Sequence, residues 1–263
     1  MKADINGIQL AYEDQGKGLP LVFLHAFPMN RRMWEPQVKV LAARYRVVTV
    51  DLRGHGESDA PLWRYSLDQY ADDVRALMDL LGIRQAVLIG LSMGGYLIFA
   101  FHRRYPERLK ALVFADTRAE ADKPEQIAWR FQLAQRAHAN SAAVVADEML
   151  PKLIAPSSQT RPELVDRARS MILSTRVTGI AGDLMAIAER PDSTGQLRTI
   201  HCPTLVLVGE LDGLTTPEDN RRIAEGIPGA RFEPIPEAGH LSNLEQPEAF
   251  NRALLNFLKG ITN

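Results

Sequence analysis

Along the first 116 residues, short and continuously apolar runs alternate with stretches whose apolar positions recur every three or four residues. Leu21–Leu24, Val47–Val50, Ala86–Ile89 and Leu109–Phe114 lack the polar alternation of a half-exposed strand, so they read as parallel strands covered on both faces. Ile8 to Tyr12 reads as an outer strand. Between the runs, Trp34–Ala43 and Leu67–Leu81 carry helical spacing, with Ser66 placed to cap the second helix and Gly82 to end it. This rhythm predicts an α/β chain with a mostly parallel sheet and helices on its faces.

The rhythm stops after Asp116. From 117 to 196 the pattern is helical throughout, with room for at least four helices. Thr160-Arg-Pro-Glu163 has the form of a capping box ahead of Leu164–Ile172. Alternation resumes with a strand at Thr204–Val208, a helix near Pro217–Glu225, a strand near Phe232–Ile235 and a last amphipathic helix over Pro247–Leu258. The expected division is one sheet-bearing domain, 1–116 and 197–263, carrying a helical cap at 117–196.

Composition narrows the partners. The chain has 263 residues, 46% apolar and 24% charged, which suits a soluble globular enzyme with one sizeable core. Lys plus Arg number 31 against 32 for Asp plus Glu, so there is no net field to draw in nucleic acid or an anionic membrane, and neither is expected as a partner. No signal-peptide core and no run of about 18 apolar residues is present, so a cytoplasmic protein is expected. The single cysteine, Cys202, excludes an internal disulfide and a thiolate metal cluster, and its place just before a strand suggests packing. A monomer or small homo-oligomer is expected.

Against this background one pattern carries chemistry. Gly90-Leu-Ser92-Met-Gly94 lies between a predicted strand and the helix-like Gly95–Phe101, the context of a nucleophile elbow. A serine hydroxyl needs a base, and of six histidines His240 lies in the loop between the last strand and the last helix, at the sheet end where ligands gather. His102, His138 and His201 read as surface or packing residues. The base needs an orienting carboxylate: Asp212 follows a strand end, and Asp116, which ends the preceding strand, is its rival, whereas Glu210 points elsewhere. Backbone donors for an oxyanion are expected from Met93, after the nucleophile, and from Phe27, where Leu24-His25-Ala-Phe27-Pro28 turns sharply. His25 reads as a loop organiser. Asp51-Leu-Arg-Gly-His-Gly-Glu-Ser58 reads as a tight structural loop in which Arg53 and His55 take no part in chemistry.

Taken together, His25-Ala-Phe-Pro28, Asp51–Ser58, Leu91-Ser-Met-Gly-Gly95, Gly209-Glu-Leu-Asp212 and Ala238-Gly-His240 resemble the landmarks of the α/β-hydrolase superfamily, in the same order and over almost the whole chain. Within it the sequence looks most like bacterial carboxylesterases and oxoadipate enol-lactonases. The resemblance implies the α/β-hydrolase fold, a cap inserted after the sixth strand, and a Ser92-His240-Asp212 mechanism without cofactor or metal. A small-molecule ester is the expected substrate; enol-lactone hydrolysis, carbon-carbon hydrolysis and perhydrolysis use the same machinery. A ligand sensor on this scaffold would acylate without turnover. Serine at the elbow argues against haloalkane dehalogenases and epoxide hydrolases, whose resemblance requires aspartate there. Ala26 departs from the glycine of many relatives, and its methyl is placed to narrow the oxyanion pocket. Within 117–196, Trp129, Phe131, Met149, Met171, Leu184 and Met185 are expected mostly as core, and Arg118, Arg130 or Arg190 would receive a lactone's carboxylate.

Overall fold

Every apolar run singled out above enters one sheet. The computed structural model describes residues 1–62 and 64–261. Its strands are β1 (Lys2–Ile5), β2 (Ile8–Gln15), β3 (Pro20–Leu24), β4 (Arg46–Val50), β5 (Ala86–Leu91), β6 (Leu109–Ala115), β7 (Thr204–Gly209) and β8 (Arg231–Ile235). They lie in the order β1-β2-β4-β3-β5-β6-β7-β8. β2 is antiparallel to both its neighbours, and every pair from β4 to β8 is parallel. Ile8–Tyr12 is therefore not the outermost strand: β1 pairs outside it through the turn at Asn6-Gly7, both at positive φ.

The helices are α1 (Glu35–Leu41), α2 (Leu67–Leu80), α3 (Met93–Arg104), α4 (Pro124–Ala139), α5 (Ala142–Leu153), α6 (Pro162–Ser174), α7 (Val177–Ala188), α8 (Pro217–Gly226), α9 (Ser242–Glu245) and α10 (Pro247–Leu258). Ser66 caps α2 as expected, accepting the Gln69 N–H at 3.1 Å. α1 starts later than its apolar spacing predicts, because Arg31–Trp34 forms a separate 3-10 turn and Pro36 suits only a first helical turn. Trp34 is fully buried and packs its ring against Phe23 (5.0 Å) and Phe250 (6.1 Å), joining β3 to α10; burial of each such ring contributes about 2–3 kcal/mol.

Between β6 and β7 the chain forms α4 to α7 and two short 3-10 turns joined by irregular segments, with no strand among the described residues, and α4 packs on α7 and α5 on α6. The capping box read at Thr160 does not form. Pro162 holds Arg161 extended (φ −101°, ψ 94°), which makes Arg161 the cap, and the Thr160 hydroxyl donates back to the Ser157 carbonyl at 2.9 Å. The helical segment is anchored where the Asp51–Ser58 loop meets α7: His55 Nε2 lies 2.8 Å from Asp183 Oδ2, and the Tyr70 hydroxyl donates to Asp183 Oδ1. Among the described residues, no single helix is long and apolar enough to cross a membrane; α6 and α7 approach that length as a pair bent by 94°.

Candidate active site

The strand order reverses direction at β3, whose neighbours are β4 and β5, and the crevice beyond the carboxyl ends of β3 and β5 is where such sheets place ligands. β5 passes into α3 through Ser92, held at φ 54° and ψ −111°, a conformation an L-residue adopts only under constraint. The constraint is visible. The Ser92 N–H donates to the Ala115 carbonyl (2.9 Å), and the Ser92 carbonyl accepts from the Gly95 N–H (2.9 Å) and the Thr117 hydroxyl (2.8 Å). A Cβ on Gly90 would lie 2.3 Å from the Gly94 carbonyl oxygen, and one on Gly94 would lie 2.2 Å from that of Leu24. Both glycines are thus required for the tight turn that presents the serine.

His240 is buried in the loop after β8, and its Nδ1 lies 2.8 Å from Asp212 Oδ2. The loop after β7 shapes Asp212 as an acceptor: Oδ1 takes the Leu214 N–H (2.8 Å) and the Thr215 N–H (3.0 Å), and Oδ2 takes the Thr215 hydroxyl (2.7 Å). Burial opposes the Asp212 charge, but His240 and these donors outweigh it and hold the carboxyl below its ordinary range. An ionised carboxylate only accepts, so His240 Nδ1 carries the proton of this contact, which makes Nε2 the accepting nitrogen of the neutral ring. The rival carboxylate, Asp116, makes other bonds. Its Oδ1 accepts the Gly209 N–H at 2.8 Å and its Oδ2 the Ser242 hydroxyl; burial, and then the charge of Asp212, push its pKa well up.

Ser92, His240, Phe27 and Thr215 share the wall of one cavity of about 400 Å³. Met93 is buried as the first residue of α3, so its N–H belongs to the first-turn donors that no helical carbonyl satisfies. Phe27 sits in a turn closed by the Met29 N–H on the Ala26 carbonyl (2.8 Å), with a cis Phe27–Pro28 bond. Ala26 is buried, does not line the cavity, and donates its N–H to Met33 Sδ at 3.3 Å. His25 organises this loop: its Nε2 accepts the Leu52 N–H at 3.0 Å and its Nδ1 donates to the Ala26 carbonyl at 2.9 Å. Burial, followed by the nearby His55, holds His25 well below the usual histidine range, so it stays neutral.

Other candidates separate as clearly. Arg53 pairs twice with Asp73, at 2.9 Å each, and His55 meets Asp183, so both belong to the structural loop. Glu210, His138 and His201 are exposed, and His102 is buried on α3. Cys202 is half-buried, and burial pushes its thiol up to about 11, so a thiolate is disfavoured. From the helical segment, Trp129 and Met149 line the cavity; Met171 and Leu184 are core, Met185 packs against the core, and Phe131 is exposed. Arg118 and Arg130 reach the cavity, whereas Arg190 is buried against Asp122 (2.8 Å) and over the Tyr96 ring (4.2 Å). Sequence reading missed Thr215, Tyr96 and Lys152; the available signal for Thr215 was its place directly ahead of the box Thr216-Pro-Glu-Asp219 that caps α8.

The fold and this site define an α/β hydrolase, and the chain belongs to that family: the family described as alpha/beta hydrolase fold matches residues 20–247. Among solved structures, a thermophilic esterase from Thermogutta terrifontis, malate bound, superposes with a TM-score of 0.96 at 41% identity, covering 100% of this chain and 99% of that one. The enol-lactonase from Burkholderia xenovorans gives 0.92 at 32%, covering 98% and 100%. The curated 3-oxoadipate enol-lactonase 2 of Acinetobacter baylyi is 33% identical over 91% of this chain and 88% of its own.

Proposed function

We propose that this hydrolase cleaves small carboxylic esters through an acyl-enzyme, with Ser92 as nucleophile, His240 as base and Asp212 as the carboxylate that orients it. The observation that carries the reading is the 2.8 Å contact of His240 with Asp212 beside a serine strained into an elbow in the same cavity wall. His240 Nε2 takes the Ser92 proton as Oγ bonds to the acyl carbon. The Phe27 and Met93 N–H groups receive the oxyanion, and the alkoxide leaves with the proton held on His240. Water, deprotonated by His240, then attacks the acyl carbon, and the acid departs as Ser92 Oγ regains its hydrogen. No cofactor enters these steps.

In this reading residues 1–116 and 197–263 form the catalytic unit, and 117–196 act as a cap whose Trp129, Met149, Leu153 and Ile187 give the cavity its apolar wall. Purified protein is expected to hydrolyse nitrophenyl acetate and butyrate faster than long-chain esters, and Ser92→Ala to abolish turnover. Wild-type protein inert toward every ester would defeat the proposal. A second reading, enol-lactone hydrolysis, draws on Arg118, Arg130 and Lys152 lining the same cavity and on the enol-lactonases among the relatives. Faster turnover of an acidic lactone than of neutral esters would favour it.

A further inference from the structure

The loop that carries His240 is fastened to the helical segment by one buried side chain. Glu245, the last residue of α9, is 1% exposed. Its Oε1 accepts the Gly239 N–H at 2.9 Å, and its Oε2 accepts the Ala155 N–H at 3.0 Å. Gly239 immediately precedes His240. Ala155 lies two residues beyond Leu153, which ends α5 and lines the cavity. On the other side of His240, the Leu241 N–H donates to the Leu153 carbonyl at 3.0 Å. Both chain neighbours of His240 are therefore tied to residues 153–155, one directly and one through the Glu245 carboxylate. Arg161 Nη1 also donates to the Glu245 carbonyl at 2.8 Å, holding the end of α9 itself.

A buried carboxylate is costly unless donors surround it: burial pushes the Glu245 pKa up, and the Ala155 and Gly239 N–H groups, from segments 84 residues apart in sequence (239 against 155), oppose that shift. A carboxylate suits that task because both of its oxygens accept. Glutamine offers one accepting oxygen and turns its NH₂ toward the second N–H, so one of the two ties must fail.

We propose that Glu245 is a positioning residue for His240, a clamp that keeps the base in register with the pocket wall contributed by the end of α5. The proposal rests on the reading of His240 as the base. Loosening the clamp displaces the imidazole from the reacting hydroxyl while leaving the cavity lining in place, so turnover should suffer more than binding.

The test compares Glu245→Gln with Asp73→Asn in the full chain, using nitrophenyl acetate. Asp73 is another buried carboxylate, bonded to Arg53 and Asn6 and outside the active site, so its variant controls for general destabilisation. E245Q should lose kcat on the order of 10- to 100-fold with KM changed less than about threefold. It should also lose or shift the downfield proton resonance of His240 Nδ1–H, which D73N should retain along with wild-type kcat. Wild-type kcat and resonance in E245Q, or equal losses in D73N, would overturn the clamp. In the wild-type protein the Gly239 and Ala155 amides should exchange slowly with deuterium; fast exchange of either overturns the proposal even if E245Q does not fold. Phosphonate labelling of Ser92 should vanish in His240→Ala. Undiminished labelling there removes the base assignment, and the clamp with it, a failure distinct from an unaffected E245Q.

Discussion

Two aspartates stand just beyond the carboxyl ends of adjacent parallel strands, Asp116 after β6 and Asp212 after β7, and both are buried. Their environments assign them opposite states. Asp212 has three donors from its own loop and the His240 ring besides, and it is held in the charged form. Asp116 has the Gly209 N–H and the Ser242 hydroxyl, and burial and the adjacent Asp212 charge favour its protonated form. A strand end supplies a position, but the donors of the following loop decide which carboxylate carries charge. Two close carboxylates also divide the roles between them, since ionising one disfavours ionising the other.

The largest expected effect breaks the charged member. Asp212→Asn turns an amide donor toward His240 Nδ1, which moves the ring proton to Nε2 and, in the proposed mechanism, removes the base; kcat for nitrophenyl acetate should then fall by about 10⁴-fold. A variant within tenfold of wild type would show that Asp212 does not set the tautomer. A gentler probe is Thr215→Val, which deletes the hydroxyl donating to Asp212 Oδ2 and keeps the branched shape. Loss of about 1 kcal/mol from that bond should reduce kcat/KM roughly fivefold, and steady-state kinetics would resolve it.

The same contrast marks what was legible in the sequence. Ser92 was readable because glycine is demanded at Gly90 and Gly94, where an added Cβ would lie 2.3 and 2.2 Å from a backbone carbonyl oxygen, and that demand leaves a local pattern. His240 and Asp212 were readable because they follow strands that announce themselves as apolar runs. Choosing between Asp212 and Asp116 was harder, since both follow such runs, and the deciding donors include Ser242 and Gly209, remote in sequence from Asp116. β1 escaped notice although Asn6-Gly7 is a hairpin signal, because Lys2–Ile5 buries one residue in four and offers no apolar run. The Thr160 capping box failed for a local reason, Pro162 moving the helix start by one residue. Lys152 lines the cavity from an exposed position on α5, a contact set by how α5 is seated and absent from any local pattern.

The smallest expected effect on turnover belongs to Asp116→Asn, and it sharpens the comparison through stability. The Asp116 pKa is raised in the folded protein, so the folded chain keeps a proton that the unfolded chain releases above the ordinary carboxylate value of about 3.9. Its contribution is complete below that value and is lost as pH rises toward the raised folded pKa. The amide of the variant would have no such proton to hold, yet its oxygen can accept the Gly209 N–H and its NH₂ can donate to Ser242 Oγ. D116N should therefore match wild type near the ordinary carboxylate pKa of about 3.9 and become the more stable protein as pH rises toward the raised folded pKa, with kcat within about threefold, or about 0.7 kcal/mol of barrier. Asp212 has the opposite sign: its pKa is lowered, so its contribution is present above the ordinary value and is lost as pH falls through the folded one. Thermal melts across this range separate the two. If D116N proves the less stable protein at neutral pH, Gly209 and Ser242 hold an ionised carboxylate, and the two strand ends carry like charges after all.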